Sequence, residues 1–242
     1  MSRSVNRPVS LELDSSLLAV AHELKSPLCL VRQLSLFLDG ETSLSQREAK
    51  KYLQQIVAVS ERGLRLANDL SRVGSLGQLS LDLEPISPTE VCRQVVQEMT
   101  GYYQINQKRL VVRSTQRRHY LAMANHDLLK SILINFCDNA LHYADKKRPV
   151  EINISVRKKP QKVRIAVRDY GPRLPLKVWR SLKGRQPITP GTHSSRPLSS
   201  GLGIYLASQF AGAIRAEIGG IAHGDGATFF VDLDISNQLP LL

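Results

Sequence analysis

The sequence predicts an α+β fold, in which an N-terminal pair of antiparallel helices precedes helices packed on one face of a mixed β-sheet. Three observations in the 242-residue chain support this fold. Apolar residues recur with a helical period before about residue 79 and with the two-residue period of strands in several later segments. The net charge of +12 divides into +2 for residues 1–79 and +10 for residues 80–242, and the 42% hydrophobic content can form a core. We therefore expect two domains, 1–79 and 80–242.

The first domain is expected to be a helical hairpin whose helices meet at the turn-forming residues 39–42. Apolar residues recur every seven positions in the first helix and alternate steps of four and three in the second, which is typical of a bundle seam. Two helices cannot cover a seam of this width, so we expect two copies to pair into a four-helix bundle, which would make the protein a homodimer. The seam residues are Leu17, Leu24, Val31 and Leu38 in the first helix, and Tyr52, Ile56, Val59, Gly63, Leu66, Leu70 and Val73 in the second.

The second domain is expected to alternate strands and helices. The sequence Ser87-Pro88-Thr89-Glu90 predicts a capped helix start with proline at the first helical position. Residues 127–143 are apolar on more than one side, which predicts a buried helix. The expected elements, in chain order, are a strand at 81–83, a helix from 88 to about 99, strands at 110–112 and 120–122, the buried helix, a hairpin of strands at 150–156 and 163–167, a loop or lid at 171–200, a helix at 202–213 and a strand at 227–233.

Composition argues against several classes of protein. Three widely separated cysteines, with no CxxC pair, argue against a disulfide framework and a cysteine-rich zinc site. No apolar stretch reaches the ~18 residues that a membrane span needs, and no signal sequence is visible, so we expect a cytoplasmic protein without a membrane span. The charge of +12 keeps a nucleic-acid or polyanion binder open as an alternative, although aromatic residues make up only 5% of the chain.

A histidine motif, His22-Glu23-Leu24-Lys25-Ser26-Pro27-Leu28, lies in the first predicted helix. His22 falls away from the heptad seam, so its imidazole should be accessible to solvent. Glu23 can draw a proton from one ring nitrogen and leave the other more nucleophilic, and Ser26 shares the face of His22 one turn later. Pro27 should bend the helix locally. A surface histidine without a special role is the alternative, and Ser26 excludes the zinc-protease pattern HExxH.

An asparagine motif, Asn135-Phe136-Cys137-Asp138-Asn139-Ala140-Leu141-His142-Tyr143, lies in the predicted buried helix. Asn135 and Asn139 are four residues apart and share a face, and buried amides need hydrogen-bond partners. A hydrated Mg²⁺ together with triphosphate oxygens would supply such partners, because Mg²⁺ prefers oxygen ligands and keeps bound waters. A core helix whose two asparagines are satisfied by the backbone is the alternative.

Two glycine motifs follow later in the chain. Asp169-Tyr170-Gly171 comes directly after a predicted strand, where a carboxylate can accept a hydrogen bond from an adenine amino group while the chain turns away. Ser200-Gly201-Leu202-Gly203-Ile204 opens a predicted helix, where glycines allow a close approach to phosphate and the N–H groups of the first turn suit an anion. Each motif alone is also compatible with an ordinary turn or helix start.

Taken in order, the four motifs resemble those of the sensor histidine kinases of two-component systems, over roughly residues 12–235. The resemblance is to the phosphoacceptor hairpin of that family and to its Bergerat-type ATP-binding α/β sandwich, which DNA gyrase and MutL share. It implies that His22 is phosphorylated, that Glu23 is its acid–base partner and that Ser26 orients water for phosphatase activity. It also implies ATP and Mg²⁺ as cofactors, with Asn139 as the metal ligand. The implied nucleotide contacts are Asn135, Asn139, His142, Tyr143, Asp169, Gly171, Gly201, Leu202, Gly203 and Thr228.

The resemblance implies an ATP-dependent protein histidine kinase that phosphorylates His22 and passes the phosphoryl group to an aspartate of a response regulator. The sequence departs from the family pattern at Arg173 and Ser199, where many members have glycine, and at His142, where many have Lys or Arg. These departures keep open a degenerate member that acts as a phosphatase, phosphotransfer protein or scaffold with weak or no ATP binding. Because little sequence precedes the first helix, we expect any input signal to come from an unknown upstream sensor as a partner or from a ligand at the hairpin, and we expect no nucleic acid.

Overall fold

The computed structural model describes residues 9–41, 43–77, 81–114, 120–158, 160–172 and 201–238. Its first part is a helical hairpin, as the sequence predicts, built from α1 (Val9–Gly40) and α2 (Gln46–Ser75). Ser45 and Glu48 form a capping box at the start of α2, in which each side chain accepts a hydrogen bond from the other residue's backbone N–H. The capping box fixes the point at which the second helix begins.

The second part of the chain is a mixed sheet covered by helices. Its elements are β1 (Glu84–Ile86), α3 (Pro88–Ile105), β2 (Leu110–Ser114), β3 (Ala122–Ala124), α4 (His126–Tyr143), β4 (Val150–Lys158), β5 (Gln161–Asp169), α5 (Leu202–Ala213), β6 (Glu217–His223) and β7 (Gly226–Asp234). The main sheet has the strand order β2-β4-β5-β7-β6, in which β2 and β4 are parallel and the other neighbours are antiparallel. β1 and β3 form a separate antiparallel pair.

The core lies between the main sheet and the helices α3, α4 and α5. The rings of Phe136 on α4 and Phe229 on β7 have their centroids 5.8 Å apart and join helix to sheet. The buried Tyr103 on α3 donates a hydrogen bond from its hydroxyl to the carbonyl oxygen of Cys137 at 2.8 Å. Fully burying an aromatic side chain contributes about 1.5–3 kcal/mol. These contacts hold α4, which carries the asparagine motif, in a fixed position.

Most predicted elements are confirmed, but two predicted strands are displaced, several boundaries differ and one strand is not predicted. The predicted helix at 202–213 coincides with α5. The strand predicted at 81–83 is wrong, because residues 84–86 pair with β3 and the alternating residues before them do not. The strand predicted at 120–122 instead forms β3, and α3 runs past residue 99 to Ile105 because Tyr103 continues its buried stripe.

The sequence analysis does not predict β6, because Gly219 and Gly220 lie inside it and glycine is depleted in strands. Gly219 faces Phe230 on β7, and a Cβ at Gly219 would overlap the carbon atoms of that ring. The guanidinium carbon of Arg164 lies 3.4 Å from the centroid of the same ring. The aromatic ring therefore takes the place of the missing side chain on this face of the sheet.

The predicted lid at 171–200 falls almost entirely outside the described residues. The structure describes Gly171 and Pro172 and then resumes at Gly201. The departures at Arg173 and Ser199 lie in the segment that is not described.

We predict that Gly219→Ala destabilises the fold by about 1–3 kcal/mol, because the added methyl group would displace a ring that Arg164 also covers. Urea unfolding measures this change. Gly101→Ala is the matched control, because a Cβ at Gly101 on α3 would meet nothing within 4 Å. The free energy of unfolding of that control should exceed that of the parent by about 0.5–1 kcal/mol, because alanine is more favourable than glycine in a helix interior. A Gly219→Ala variant as stable as the parent would contradict this account of β6.

Candidate active site

A cleft of about 160 Å³ lies between the hairpin and the second part of the chain. Residues from three of the sequence motifs border it, together with residues of α2. Its lining includes His22, Glu23 and Ser26 from α1, Arg62 and Asp69 from α2, Asn135, Asp138, Asn139 and His142 from α4, and Gly201, Leu202 and Gly203 at the start of α5. The structure therefore brings the histidine motif, the asparagine motif and the second glycine motif to one place.

α1 presents His22 at the edge of this cleft. The side chains of His22 and Ser26 are exposed, as the heptad pattern predicts for His22, and that of Glu23 is half-buried. Pro27 is buried against α2, where a Cβ on Gly63 would come 3.4 Å from the proline ring. α1 remains a continuous helix through Pro27. Because Pro27 packs toward α2, the helical period turns His22 away from the inside of the hairpin.

Asn135 joins the asparagine motif to the hairpin. Its amide Nδ2 donates to the carbonyl oxygen of Ser131 at 2.9 Å and to Oδ2 of Asp69 on α2 at 3.2 Å. The hydroxyl of Ser131 also donates to Oδ1 of Asp69 at 3.1 Å. Both carboxylate oxygens of Asp69 thus accept hydrogen bonds from α4. Asn139, one turn after Asn135, borders the cleft itself.

Burial raises the pKa of Asp69, and the hydrogen bonds from Asn135 and Ser131 oppose that shift. The folded state therefore binds this proton more tightly than the unfolded chain does. By linkage, the free-energy cost of burying the charged carboxylate of Asp69 applies at pH values above its raised pKa. This cost falls as the pH drops through that pKa.

A second polar contact crosses from α2 to α4. Nε of Arg62 lies 3.2 Å from Oδ2 of Asp138, and both side chains are largely shielded from solvent. Burial opposes the charged form of Arg62, but the carboxylates of Asp138 and Glu23 together raise its pKa above the ordinary value. Oδ1 of Asp138 is buried and has no hydrogen-bond partner among the described residues. Arg62 is therefore a fixed positive charge beside the cleft.

The start of α5 packs directly on the asparagine motif. Gly201 has a left-handed backbone with φ of +75°, a conformation that favours glycine, and no side chain caps the helix that follows. A Cβ on Gly203 would come 3.2 Å from Oδ1 of Asn135. A larger residue at position 203 would push these two segments apart. This uncapped helix start is a suitable place for phosphate oxygens.

Asp169 lies at the end of β5 and is 1% exposed. Its Oδ1 accepts hydrogen bonds from the backbone N–H of Gly171 at 3.1 Å and of Ala227 at 3.2 Å. These bonds fix the carboxylate between β5 and β7. Asp169 and Gly171 are not part of the cleft lining and lie nearer the sheet.

Two further predicted nucleotide contacts, Tyr143 and Thr228, also lie outside the cleft lining. The ring of Tyr143 meets the ring of His142 edge-on, with 6.3 Å between centroids. Thr228 follows Ala227 on β7, so its side chain points to the opposite face of the sheet, where its hydroxyl lies 2.9 Å from Nε2 of His223. Asp169 pairs across the strands with Ala227, the neighbour of Thr228.

The residues present suit a magnesium nucleotide better than a directly ligated metal. Among the described residues, no three His, Cys, Asp or Glu side chains are grouped as metal ligands. A cation here would depend on the amide oxygen of Asn139 together with phosphate oxygens and water, which is a ligand set that Mg²⁺ accepts. The uncapped start of α5 and Gly203 leave room for phosphate beside it.

Arg62 and Asp69 were not singled out by the sequence analysis. Both lie on α2, seven residues apart, and so share one face of that helix. In the sequence, these two residues appear only as part of a polar stripe beside the apolar seam of the second helix. A stripe of this kind is usually a solvent-facing surface, and only its contact with α4 gives it another meaning.

Comparisons with known proteins agree with this arrangement. Residues 124–237 match the family described as histidine kinase-, DNA gyrase B- and HSP90-like ATPase. The chain is 26% identical over 200 residues to the sensor histidine kinase YkoH of Bacillus subtilis (79% of this chain and 40% of YkoH). It is 24% identical over 223 residues to the histidine protein kinase SaeS of Staphylococcus epidermidis (92% of this chain and 60% of SaeS). The chain thus spans about half the length of these relatives.

Solved structures share the fold. The histidine kinase AdeS of Acinetobacter baumannii superposes with a TM-score of 0.59 at 19% identity, covering 89% of this chain and 98% of that one. Full-length ShkA in complex with AMPPNP gives a TM-score of 0.61 at 20% identity, covering 94% of this chain and 46% of ShkA. The fold and the site define a histidine-kinase-type ATPase domain preceded by a helical hairpin. Residues 124–237 thus match the histidine kinase-, DNA gyrase B- and HSP90-like ATPase family, and the curated relatives of the chain are sensor histidine kinases. No helix among the described residues is long and apolar enough to cross a membrane.

We predict that Asp69→Ala loosens the contact between α2 and α4, because it removes the two carboxylate oxygens that accept hydrogen bonds from Ser131 and Asn135. Hydrogen bonds to a charged group contribute about 1.5–3 kcal/mol each, so their loss should favour a more open arrangement. Small-angle X-ray scattering should show a larger radius of gyration. Asn68→Ala, which changes an exposed neighbour on the same helix, is the control and should scatter like the parent chain. An Asp69→Ala profile identical to the parent profile would contradict the role given to Asp69.

Proposed function

We propose that this chain is an ATP-dependent protein histidine kinase that phosphorylates His22 and passes the phosphoryl group to an aspartate of a response regulator. The observation that carries the proposal is the shared cleft, which has the exposed His22 on one side and Asn139 with the start of α5 on the other. A nucleotide held by α4 and α5 would thus have a nucleophile of the same chain within the same space.

The chemistry assigns distinct roles to the residues of α1. An unprotonated ring nitrogen of His22 attacks the terminal phosphorus, and an N–P bond forms. The bond from that phosphorus to the bridging oxygen breaks, and its electron pair stays on the oxygen of ADP. Glu23 accepts the proton that the other ring nitrogen loses. Ser26, exposed one turn from His22, is placed to orient water when phosphate is removed again.

The nucleotide is expected to lie along α4 and the start of α5. Asn139 would hold Mg²⁺, which neutralises charge on the phosphates when bound. Gly201, Leu202 and Gly203 would contact phosphate oxygens, and Asp169 would accept a hydrogen bond from the adenine. Asn135, His142, Tyr143, Gly171 and Thr228 complete the contacts that the sequence predicts. Thr228 has the weakest support, because its hydroxyl bonds to His223 on the other face of the sheet.

We further propose that the hairpin forms a homodimer. Several large apolar side chains of the hairpin are exposed, with Leu28 at 68% and Leu64 at 65%. Large apolar side chains exposed in this number on one helical hairpin favour an interface, and a second hairpin would cover them in a four-helix bundle. The exposed apolar residues of the hairpin are Leu28, Leu30, Leu36, Phe37, Leu53, Val57 and Leu64.

Incubation of the chain with labelled Mg-ATP tests the kinase directly. We predict a label that is stable in alkali and labile in acid, as an N–P bond on imidazole requires, and that His22→Ala abolishes. Asn139→Ala should lose Mg²⁺-dependent binding of a fluorescent ATP analogue, which separates failure of binding from failure of transfer. His126→Ala, at a histidine away from the cleft lining, is the control and should keep the label. An unlabelled parent chain, or a label that survives His22→Ala, would contradict the kinase proposal.

We predict that transfer occurs within one protomer, because His22 and Asn139 of the same chain border one cleft. Mixed dimers of His22→Ala and Asn139→Ala chains, carrying different tags and recovered through both, should therefore remain unlabelled. Mixed dimers of parent and Asn139→Ala chains should carry label on the parent chain. Label on the Asn139→Ala chain in either mixture would instead demonstrate transfer across the dimer.

A further inference from the structure

Arg62 is one of two arginines that line the cleft, and the proposed chemistry uses neither of them. It lies on α2, lines the cleft together with His22 and Asn139, and interacts electrostatically with Glu23 and Asp138. Glu23 is the neighbour of His22 in the sequence, and Asp138 is the neighbour of Asn139. Arg62 thus lines the same cleft as the acceptor histidine and the predicted magnesium ligand.

We propose that Arg62 is a catalytic residue of the hairpin, whose guanidinium contacts the phosphoryl group as it passes to His22 and neutralises its charge. The proposal rests on the kinase function proposed above. Transfer of a phosphoryl group depends mainly on positioning and on cations that balance the charge of its oxygens. Arginine suits this role because its planar guanidinium always carries a charge and presents five donors.

The charge of the cleft makes such a cation necessary. The carboxylates of Glu23, Asp69 and Asp138 line it and would repel a triphosphate. His142 also lines the cleft, but an imidazole is mostly neutral at pH 7. Arg65, the other guanidinium of the lining, lies 4.0 Å from Glu98 on α3 and so is drawn toward a different carboxylate.

The hydrogen bonds of Arg62 leave it capacity for a ligand. Its Nε donates to Asp138, and its guanidinium also interacts electrostatically with Tyr102 on α3. A guanidinium has five N–H donors, so these two partners do not exhaust them. Asp138 holds Arg62 from the side of α4 while one of its own oxygens, Oδ1, stays buried without a partner among the described residues. An anion beside Arg62 would accept hydrogen bonds from the guanidinium N–H groups that remain unused.

A structural role is the competing explanation, because the Arg62–Asp138 ion pair also joins α2 to α4. The two roles predict different behaviour of Asp138. If Arg62 acts only through the ion pair, then removing either partner should have the same effect on phosphorylation. If Arg62 contacts the phosphoryl group, then removing Asp138 leaves the essential cation in place and should cost much less.

The test compares Arg62→Ala, Arg62→Lys, Asp138→Asn and the control Arg93→Ala, an exposed arginine on α3 outside the cleft. Two quantities are measured in each full-length chain: the rate constant of His22 labelling at saturating Mg-ATP, and the Kd values of ADP and of a non-hydrolysable ATP analogue. The Kd values report on the terminal phosphate without any turnover.

We expect Arg62→Ala to lower the labelling rate about 100-fold, as the loss of one preorganised donor does elsewhere. The Kd of ADP should stay within about twofold, while that of the triphosphate analogue rises about tenfold, because only the triphosphate reaches the guanidinium. Arg62→Lys should recover part of both losses. The fold-loss of labelling rate in Asp138→Asn should be less than about a tenth of the fold-loss in Arg62→Ala. The labelling rate of Arg93→Ala should match that of the parent chain.

Equal losses of labelling rate in Arg62→Ala and Asp138→Asn would overturn the proposal and leave Arg62 a purely structural role. An Arg62→Ala chain that labels within about threefold of the parent, or that weakens ADP and the triphosphate analogue alike, would overturn it too. Failure of the kinase function itself would look different, since the parent chain would then carry no label while the nucleotide Kd values could still be compared.

Discussion

The structure depends on one set of polar contacts, in which α2 of the hairpin meets α4 of the second part. Asp69 accepts hydrogen bonds from Ser131 and Asn135, and Arg62 pairs with Asp138. Buried polar groups are costly unless they are paired, so these bonds specify one arrangement of helix against helix. The position of His22 relative to Asn139 follows from that arrangement. The helical hairpin and the ATPase-family sandwich thereby share one cleft.

Close packing supports the polar contacts from both sides. Pro27 lies against Gly63 within the hairpin, and Gly203 lies against the amide of Asn135, so backbone segments approach each other where a side chain is missing. The first contact turns His22 outward, and the second brings the start of α5 beside the asparagine motif. Both contacts therefore help to determine where His22 and the asparagine motif lie.

Local patterns were enough to predict much of this structure, and the exceptions have physical reasons. Apolar residues recur with a clear period in the helix at 202–213 and in the strand hairpin around residue 160, so the sequence predicts both elements. β6 is not predicted from the sequence because glycine at position 219 argues against a strand. The ring that takes the place of its side chain, Phe230, lies on another strand. Thr228 illustrates the two-residue period of strands, since a shift of one position moves a side chain to the other face. Arg62 was missed because its meaning comes from a contact with α4, which no local pattern contains.

The most direct test of the central claim is a crystal structure of the chain with Mg²⁺ and a non-hydrolysable ATP analogue. The account predicts that the terminal phosphate lies in the cleft between His22 and Asn139, with the guanidinium of Arg62 at a charge-assisted hydrogen-bond distance of about 2.7–2.9 Å. A nucleotide whose terminal phosphate points away from His22, with Arg62 remote from it, would contradict the account.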